Sequence, residues 1–196
     1  MLELLRNDLY AEFYHDFKNV LVPFMDPEVY GRSILENSSF IVSSANPDSS
    51  IHGNGFVARL SGATAEFINI LMFMNVGQKP FSINKIGELQ LQLKPALPGW
   101  LFTKDAQKNR LLLNNKWQDV ETPSNSYSFM FLGEILVTYH NKNLKDTFGL
   151  EGVSPVTWKV FDLEGNSQTF HRDTLKGEIV EKIRRREIVK IDLELE

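Results

Sequence analysis

The sequence predicts an α+β protein in which helices come first and an antiparallel β-sandwich follows. Before Gly77, apolar residues recur at helical spacing in two long segments. From about Ser82 onward, apolar and polar residues instead alternate over short runs, as in half-buried strands. Turn-forming Gly, Asn and Pro residues separate these runs at the spacing typical of a sandwich. We therefore expect two domains, residues 1–81 and residues 82–196.

The first helix is predicted over residues 2–22, because apolar side chains recur there every four positions. This stripe consists of Leu5, Leu9, Phe13, Phe17 and Leu21. Pro23 and Pro27 end the helix. The helix starts with almost no polar residues before its first apolar turn, which indicates a segment of a longer chain.

The second helix is predicted over residues 63–76 and is the most apolar segment of the chain. From residue 65 to residue 76 only Glu66, Asn69 and Asn75 are polar, so the helix is apolar on every side and should be enclosed by protein. It is too short to cross a bilayer. Ser61 and Gly62 precede its first turn, where free backbone N–H groups suit an anion such as phosphate. The alternative is an ordinary capped core helix.

Residues 26–51 are predicted to form a structured loop with one β-like run at 39–42, since Pro, Gly, Ser and Asn residues interrupt any helix. In and just after this loop, several polar side chains are candidates for function, although each is equally suited to cap a turn or form a surface pair. They are Arg32, Glu36, Asn37, Ser38, His52 and Arg59.

The second half of the chain contains six predicted strands and one short helix. The strands are expected at 88–93, 110–114, 127–132, 134–140, 156–162 and 188–195, with the helix at 178–186.

Composition excludes several classes of function. The chain has no cysteine, so disulfides, thiolate catalysis and cysteine metal sites are absent, and its four histidines lack metal-binding spacing. A formal charge of −4 argues against a nucleic-acid binder. The N-terminus shows neither a signal peptide nor a membrane anchor, and we therefore expect a cytoplasmic protein that binds no membrane.

Two motifs carry a family resemblance. The first is Leu60-Ser61-Gly62-Ala63-Thr64-Ala65-Glu66-Phe67, followed by a helix that runs to Gly77. The second is Leu91-Gln92-Leu93-Lys94-Pro95-Ala96-Leu97-Pro98-Gly99-Trp100. In this order they resemble the C-terminal part of inverting glycoside phosphorylases of the cellobiose phosphorylase type. The chain departs from that family at Ser61, where Thr is usual, and close to Glu66-Phe67, where the family has an aromatic residue that is commonly Trp.

The resemblance implies the last helices of an (α/α)6 barrel followed by a jelly-roll-like β-sandwich. It implies phosphorolysis of a β-glucoside or oligosaccharide, with inorganic phosphate as co-substrate and with no cofactor or metal. The general acid of that family lies upstream of the matched region, so this chain contributes no catalytic residue. Ser61 and Gly62 would bind phosphate, and the candidate residues of the substrate loop are Glu36, His52 and Arg59.

Two other classes of function remain open. One is a carbohydrate-binding β-sandwich that stacks sugars on three exposed tryptophans, Trp100, Trp117 and Trp158. The other is a structural or interaction domain without a small-molecule site. If the chain is the end of a barrel, its exposed helices should also make it self-associate.

Overall fold

The computed structural model describes residues 1–20, 26–32, 38–58, 62–113 and 116–196. Within these ranges the chain forms five α-helices and twelve β-strands, and almost all neighbouring strands are antiparallel. The α+β class predicted from the sequence is confirmed. The chain divides into two compact units, Met1–Met72 and Phe73–Glu196, and the division falls within the longest helix.

The predicted first helix is broken into two, α1 (Leu2–Arg6) and α2 (Tyr10–Val20). The break occurs at Asp8, which adopts a left-handed backbone conformation with φ 57°. There the N–H of Leu9 donates to the carbonyl of Leu4 at 2.9 Å. This is the 6→1 hydrogen bond of a Schellman helix end. The prediction of one continuous helix over 2–22 is therefore wrong, since Asp tolerates the left-handed region and ends α1 early.

Among the described residues, the apolar stripe of these helices is nevertheless buried, apart from the residue next to the break; Leu21 lies outside the described residues. Leu5, Phe13 and Phe17 are buried, whereas Leu9 is exposed. The rings of Phe13 and Phe17 lie 5.5 Å apart between centroids, a distance at which aromatic pairs attract. Burial of the stripe thus follows the predicted spacing even though the helix does not continue through Asp8.

A short helix, α3 (Pro27–Tyr30), lies in the predicted loop. Asp26 caps it by accepting the N–H of Glu28 at 3.0 Å, Pro27 occupies its first turn, and Gly31 follows it at φ 72°. This order of cap, proline and left-handed glycine is a known helix signature. The helix buries Tyr30, whose hydroxyl accepts the N–H of Ser38 at 2.9 Å.

The long apolar helix, α4 (Gly62–Val76), starts one residue before the predicted position and ends where predicted. Ile70, Met74 and Val76 are buried. Ile68 and Met72, however, are 54% and 49% exposed. These two residues lie one turn apart on a face that is open to solvent, so the expectation that protein encloses α4 on every side is wrong for this chain.

The second unit is built on a five-stranded sheet with the order β10-β9-β12-β8-β7. Its strands are β7 (Ser126–Phe131), β8 (Ile135–His140), β9 (Pro155–Asp162), β10 (Ser167–His171) and β12 (Ile188–Leu195). β12 lies in the middle, antiparallel to β9 and parallel to β8. The remaining pairs in this sheet are antiparallel hairpins, β7 with β8 and β9 with β10. The predicted strands at 127–132, 134–140, 156–162 and 188–195 are confirmed.

One face of this sheet forms the core and the other is largely polar. Along β12, Ile191, Leu193 and Leu195 are buried, while Lys190, Asp192 and Glu194 point to the opposite face. The lysine Nζ lies 2.8 Å from Asp192 Oδ2. This alternation from Lys190 to Leu195 explains why β12 could be recognised directly from the sequence.

A smaller sheet in the same unit has the order β11-β4-β3. Its strands are β3 (Phe81–Ile83), β4 (Leu89–Leu91) and β11 (Leu175–Lys176). The helix α5 (Glu178–Arg184) follows β11 and matches the helix predicted at 178–186. The rings of Phe81 and Phe131 stack with centroids 5.9 Å apart, which joins β3 to β7 of the larger sheet.

The proline-rich segment 95–99 is held by a loop that follows β8. Thr147 Oγ1 donates to the carbonyl of Pro95 at 2.7 Å and accepts the N–H of Leu97 at 2.7 Å. Asp146 Oδ1 accepts the N–H of Gly99 at 2.7 Å. We call these three hydrogen bonds of Asp146 and Thr147 the clasp. The backbone of Gly99 lies directly on the carbonyl of Leu144, so there is no room for a side chain at Gly99.

Asp192 makes the polar face of the larger sheet sensitive to pH. Burial alone would raise the pKa of Asp192, but its contacts with His140 and Lys190 outweigh burial and place the pKa below its ordinary value. A carboxylate with a lowered folded-state pKa stabilises the fold above its unfolded pKa, and this contribution is lost as pH falls through the folded value.

Lys190→Met is therefore expected to cost about 0.2–1 kcal/mol of stability at pH 7, as for a partly exposed ion pair. The loss should shrink as pH falls below the lowered pKa of Asp192, because protonation of Asp192 then weakens the pair in the parent chain. Urea unfolding of both proteins at neutral pH and at such an acid pH measures the difference. An equal loss at both pH values would show that Lys190 acts through packing on Phe161, whose ring centroid lies 5.1 Å from its Nζ.

Candidate functional site

The candidate site is the point at which a strand leads into the N-terminus of α4. The strands β1 (Ser38–Ile41) and β2 (Gly55–Ala58) form an antiparallel hairpin in which Phe40 pairs with Phe56. The β-like run predicted at 39–42 is thereby confirmed. β2 ends at Ala58, and α4 begins four residues later at Gly62.

This N-terminus has the electrostatic character that anion binding requires. The first N–H groups of any α-helix lack partners within the helix. In a helix of fifteen residues, such as α4, the aligned peptide dipoles add roughly half a positive charge at that end. Gly62 is the first residue of α4 and adds no side chain of its own at that end.

Of the two predicted phosphate-binding residues, Gly62 lies in the described part of the chain and Ser61 lies outside it. Two of the three candidate residues of the substrate loop, Glu36 and Arg59, also lie outside the described residues. The phosphate-binding role of Ser61 and Gly62 stays a prediction.

His52, the third candidate, lies in the loop that joins β1 to β2. Its Nε2 is 2.7 Å from the carbonyl oxygen of Asn46, a residue of the same loop. Asp48 caps a 3₁₀ turn in this loop (Ser49–Ile51) by accepting the N–H of Ser50 at 3.0 Å. The hydroxyl and N–H of Ser50 hold the pKa of Asp48 below its ordinary value. The whole length of β2 separates His52 from the residues that precede α4, and His52 contributes to the order of its own loop.

Arg32 connects α3 to the hairpin. Its Nε donates to the carbonyl of Gly55 at 2.9 Å. Gly55 itself packs so closely on the ring of Tyr30 that an added Cβ would collide with it. These contacts fix the position at which β2 begins, and sequence analysis missed them because short-range patterns do not show which side chain reaches a distant carbonyl.

The hairpin also presents an exposed aromatic pair that the sequence did not predict. Phe40 and Phe56, directly opposite each other, are 67% and 43% exposed. Together with the open face of α4, these rings leave the Met1–Met72 unit with several large apolar side chains in contact with solvent. Single exposed apolar residues are common, whereas several in one small unit usually indicate an interaction surface.

The three tryptophans proposed for sugar stacking do not share an environment. Trp158 is fully buried, and its Nε1 donates to the carbonyl of Arg172 at 2.9 Å. The prediction that Trp158 is exposed is wrong, because the alternation of β9 places it beside Val160 on the core face. Trp100 and Trp117 are exposed. The guanidinium of Arg110 lies 5.9 Å from the centroid of the Trp117 ring.

Within the ranges that the structure describes, no three His, Asp or Glu side chains are grouped as metal ligands. Among the helices of those ranges, none combines the length and the apolar character needed to cross a membrane. No protein-family model matches the sequence, and a search of curated proteins found no significant match.

Proposed function

We propose that this chain is the C-terminal part of an inverting glycoside phosphorylase and that the N-terminus of α4 forms one wall of its phosphate site. One observation carries the proposal: a fifteen-residue helix opens at a glycine within four residues of the end of a strand, at the motif that resembles this family. A helix end of this kind binds anions through backbone N–H groups without any cationic side chain.

The proposed reaction divides the work between this chain and the rest of the enzyme. A carboxylic acid outside the chain protonates the glycosidic oxygen, and that oxygen leaves with its bonding electrons. A phosphate oxygen attacks the anomeric carbon from the opposite face and forms the sugar 1-phosphate with inverted configuration. The free N–H groups of α4 would orient the phosphate and stabilise its charge. This chain supplies no acid, so by itself it should neither phosphorolyse nor hydrolyse glycosides.

The exposed apolar surface of the Met1–Met72 unit supports a finer architecture, in which this unit forms the last helices of an (α/α)6 barrel. Helices of such a barrel pack against neighbours on both sides, and Ile68 and Met72 of α4 are suited to such a contact. The antiparallel-rich sheets of the Phe73–Glu196 unit similarly support a closing β-sandwich. An alternative role as a free-standing sugar-binding sandwich loses one of its three proposed stacking residues, because Trp158 is buried.

A double substitution tests whether α4 packs against the rest of a barrel. In this chain, Ile68→Ser with Met72→Ser should change stability by only about 1 kcal/mol in total, since both positions are half exposed. In the longer enzyme that the proposal requires, burial of each side chain is worth about 1.5–3 kcal/mol, and the same change should lower the melting temperature strongly.

The matched control is Ile83→Ser, at an exposed position of β3 in the other unit. It should have little effect in either protein. Thermal unfolding of the short chain and of the longer enzyme, each with and without the substitutions, gives the comparison. Equal and small effects of the α4 double substitution in both proteins would contradict the barrel contact.

A further inference from the structure

The two-stranded ribbon of the second unit has one face that is entirely exposed. The ribbon consists of β5 (Gln107–Leu113) and β6 (Lys116–Thr122), which are antiparallel. Its exposed face, here called the outer face, is formed by three successive cross-strand pairs. They are Lys108 with Glu121, Arg110 with Asp119, and Leu112 with Trp117, and all six residues are exposed.

The opposite face of the ribbon has a different environment. Leu111, Leu113 and Val120 are half-buried there, and Thr122 is buried. The ribbon therefore turns this second face toward the rest of its unit. Because an isolated two-stranded ribbon is only marginally stable in water, the outer face is the side on which further packing can be gained.

Charge is distributed on the outer face by strand. β5 carries the two cations, Lys108 and Arg110, and β6 carries the two anions, Asp119 and Glu121. No salt bridge joins the opposite members of these pairs in the structure that is described, and the Arg110 guanidinium lies over Trp117 instead. The face thus presents a basic column beside an acidic column, with an aliphatic and an aromatic side chain at one end.

We propose that the outer face of the ribbon binds the outer face of a second copy of this chain. A twofold axis parallel to the strands places β5 of one copy over β6 of the other at the same height. Lys108 then faces Glu121 of the second copy, Arg110 faces its Asp119, and Leu112 faces its Trp117. Twofold symmetry makes each contact twice. Sheets pack face to face at about 10 Å with nearly aligned strands, a separation that long side chains can span.

The order of charges favours this arrangement over the others. A twofold axis across the strands would place β5 over β5 and bring cations against cations, which is repulsive. A sugar ligand would stack on the Trp117 ring, but it would not explain the cations on β5 and the anions on β6. The outer face measures roughly 24 Å by 10 Å, since seven residues rise about 3.4 Å each. This area is far below that of a stable interface, so the dimer is weak and depends on concentration.

Sedimentation equilibrium of the full chain over a wide concentration series tests the proposal. We expect a monomer–dimer equilibrium whose dissociation constant rises with salt, because the charge pairs are exposed. Trp117→Thr should raise this constant at least about tenfold, as loss of a large aromatic contact does. The matched control Trp100→Thr changes another exposed tryptophan of the same unit and should leave the constant unchanged. All measurements are repeated in the Ile68→Ser, Met72→Ser background, which removes association through the open face of α4.

Charge reversal gives the second arm of the test. Arg110→Glu would place a carboxylate opposite Asp119 of the second copy, and Asp119→Arg would place a guanidinium opposite its Arg110. Because like charges then face each other, each variant should self-associate at least about tenfold less tightly than the parent chain. An equimolar mixture of the two variants should associate more tightly than either alone. A chain that stays monomeric throughout, a mixture that gains nothing, or an unchanged constant for Trp117→Thr in a normally folded variant overturns the proposal. Because these residues play no part in the phosphate site, the outcome is independent of the proposed phosphorylase function.

Discussion

Gly99→Ala is expected to abolish stable folding of the Phe73–Glu196 unit, with a loss of more than about 4 kcal/mol, at the upper end for single substitutions. A Cβ at Gly99 would collide with the carbonyl oxygen of Leu144 and lie 2.8 Å from its carbonyl carbon. Both atoms belong to the backbone, so no side-chain rotation relieves the clash. The hydrogen bond from Gly99 to Asp146, and those that Thr147 makes with Pro95 and Leu97, would be lost with it.

The matched control for this prediction is Gly133→Ala. Gly133 has φ 78° and no heavy atom near an added Cβ, so alanine there meets only backbone strain, worth about 1–2 kcal/mol. Urea unfolding followed by tryptophan fluorescence compares the two variants. A similar loss for both would mean that the loop after β8 moves freely and that the clasp does not hold the proline-rich segment.

In the longer enzyme that the proposed function requires, substitutions at the N-terminus of α4 should impair the use of phosphate. Ser61→Ala removes one hydroxyl donor, and a hydrogen bond to a charged group is worth ~1.5–3 kcal/mol. Use of phosphate should therefore weaken roughly ten- to a hundredfold. Gly62→Val should have a larger effect, because the branched side chain fills the space that the anion needs and restricts the backbone that presents the N–H.

The competing interpretation is that Ser61 only caps the helix. It predicts a stability loss of ~1 kcal/mol for Ser61→Ala, with the phosphate kinetics of the folded enzyme unchanged. The phosphate KM, kcat and melting temperature of the variant separate the two cases. If only the melting temperature changes, Ser61 is a helix cap and its hydroxyl does not bind the phosphate.

The sequence predicted those elements in which the pattern of apolar and polar residues matches their burial in the fold. From Lys190 onward β12 alternates because one face forms the core, and α4 is a fifteen-residue segment with few polar residues, a length that fits a helix. Strands with mainly exposed residues were missed. β10 and β6 carry few apolar side chains because little protein covers them, so no hydrophobic period marks them.

Other features depend on information that a local pattern lacks. The apolar stripe from Leu5 to Phe17 runs through the helix break, and the only local sign of the break is the pair Asn7 and Asp8. Likewise, the spacing of the tryptophans gives no indication that β9 turns Trp158 inward. For the candidate site, sequence located the start of α4 to within one residue, but the attachment of the hairpin to α3 through Arg32 required the fold.

The most direct test of the central claim is phosphate-dependent cleavage of a β-glucoside by the longer enzyme, followed by ³¹P and ¹H NMR. The proposed function predicts that an α-configured sugar 1-phosphate accumulates when phosphate is present and that none forms without it, since an inverting reaction changes the configuration of the anomeric carbon. The present chain alone, assayed in parallel, should form no product, because the proposal places the acid outside it. Release of free sugar without phosphate, a β-configured product, or activity of this chain by itself would contradict the account.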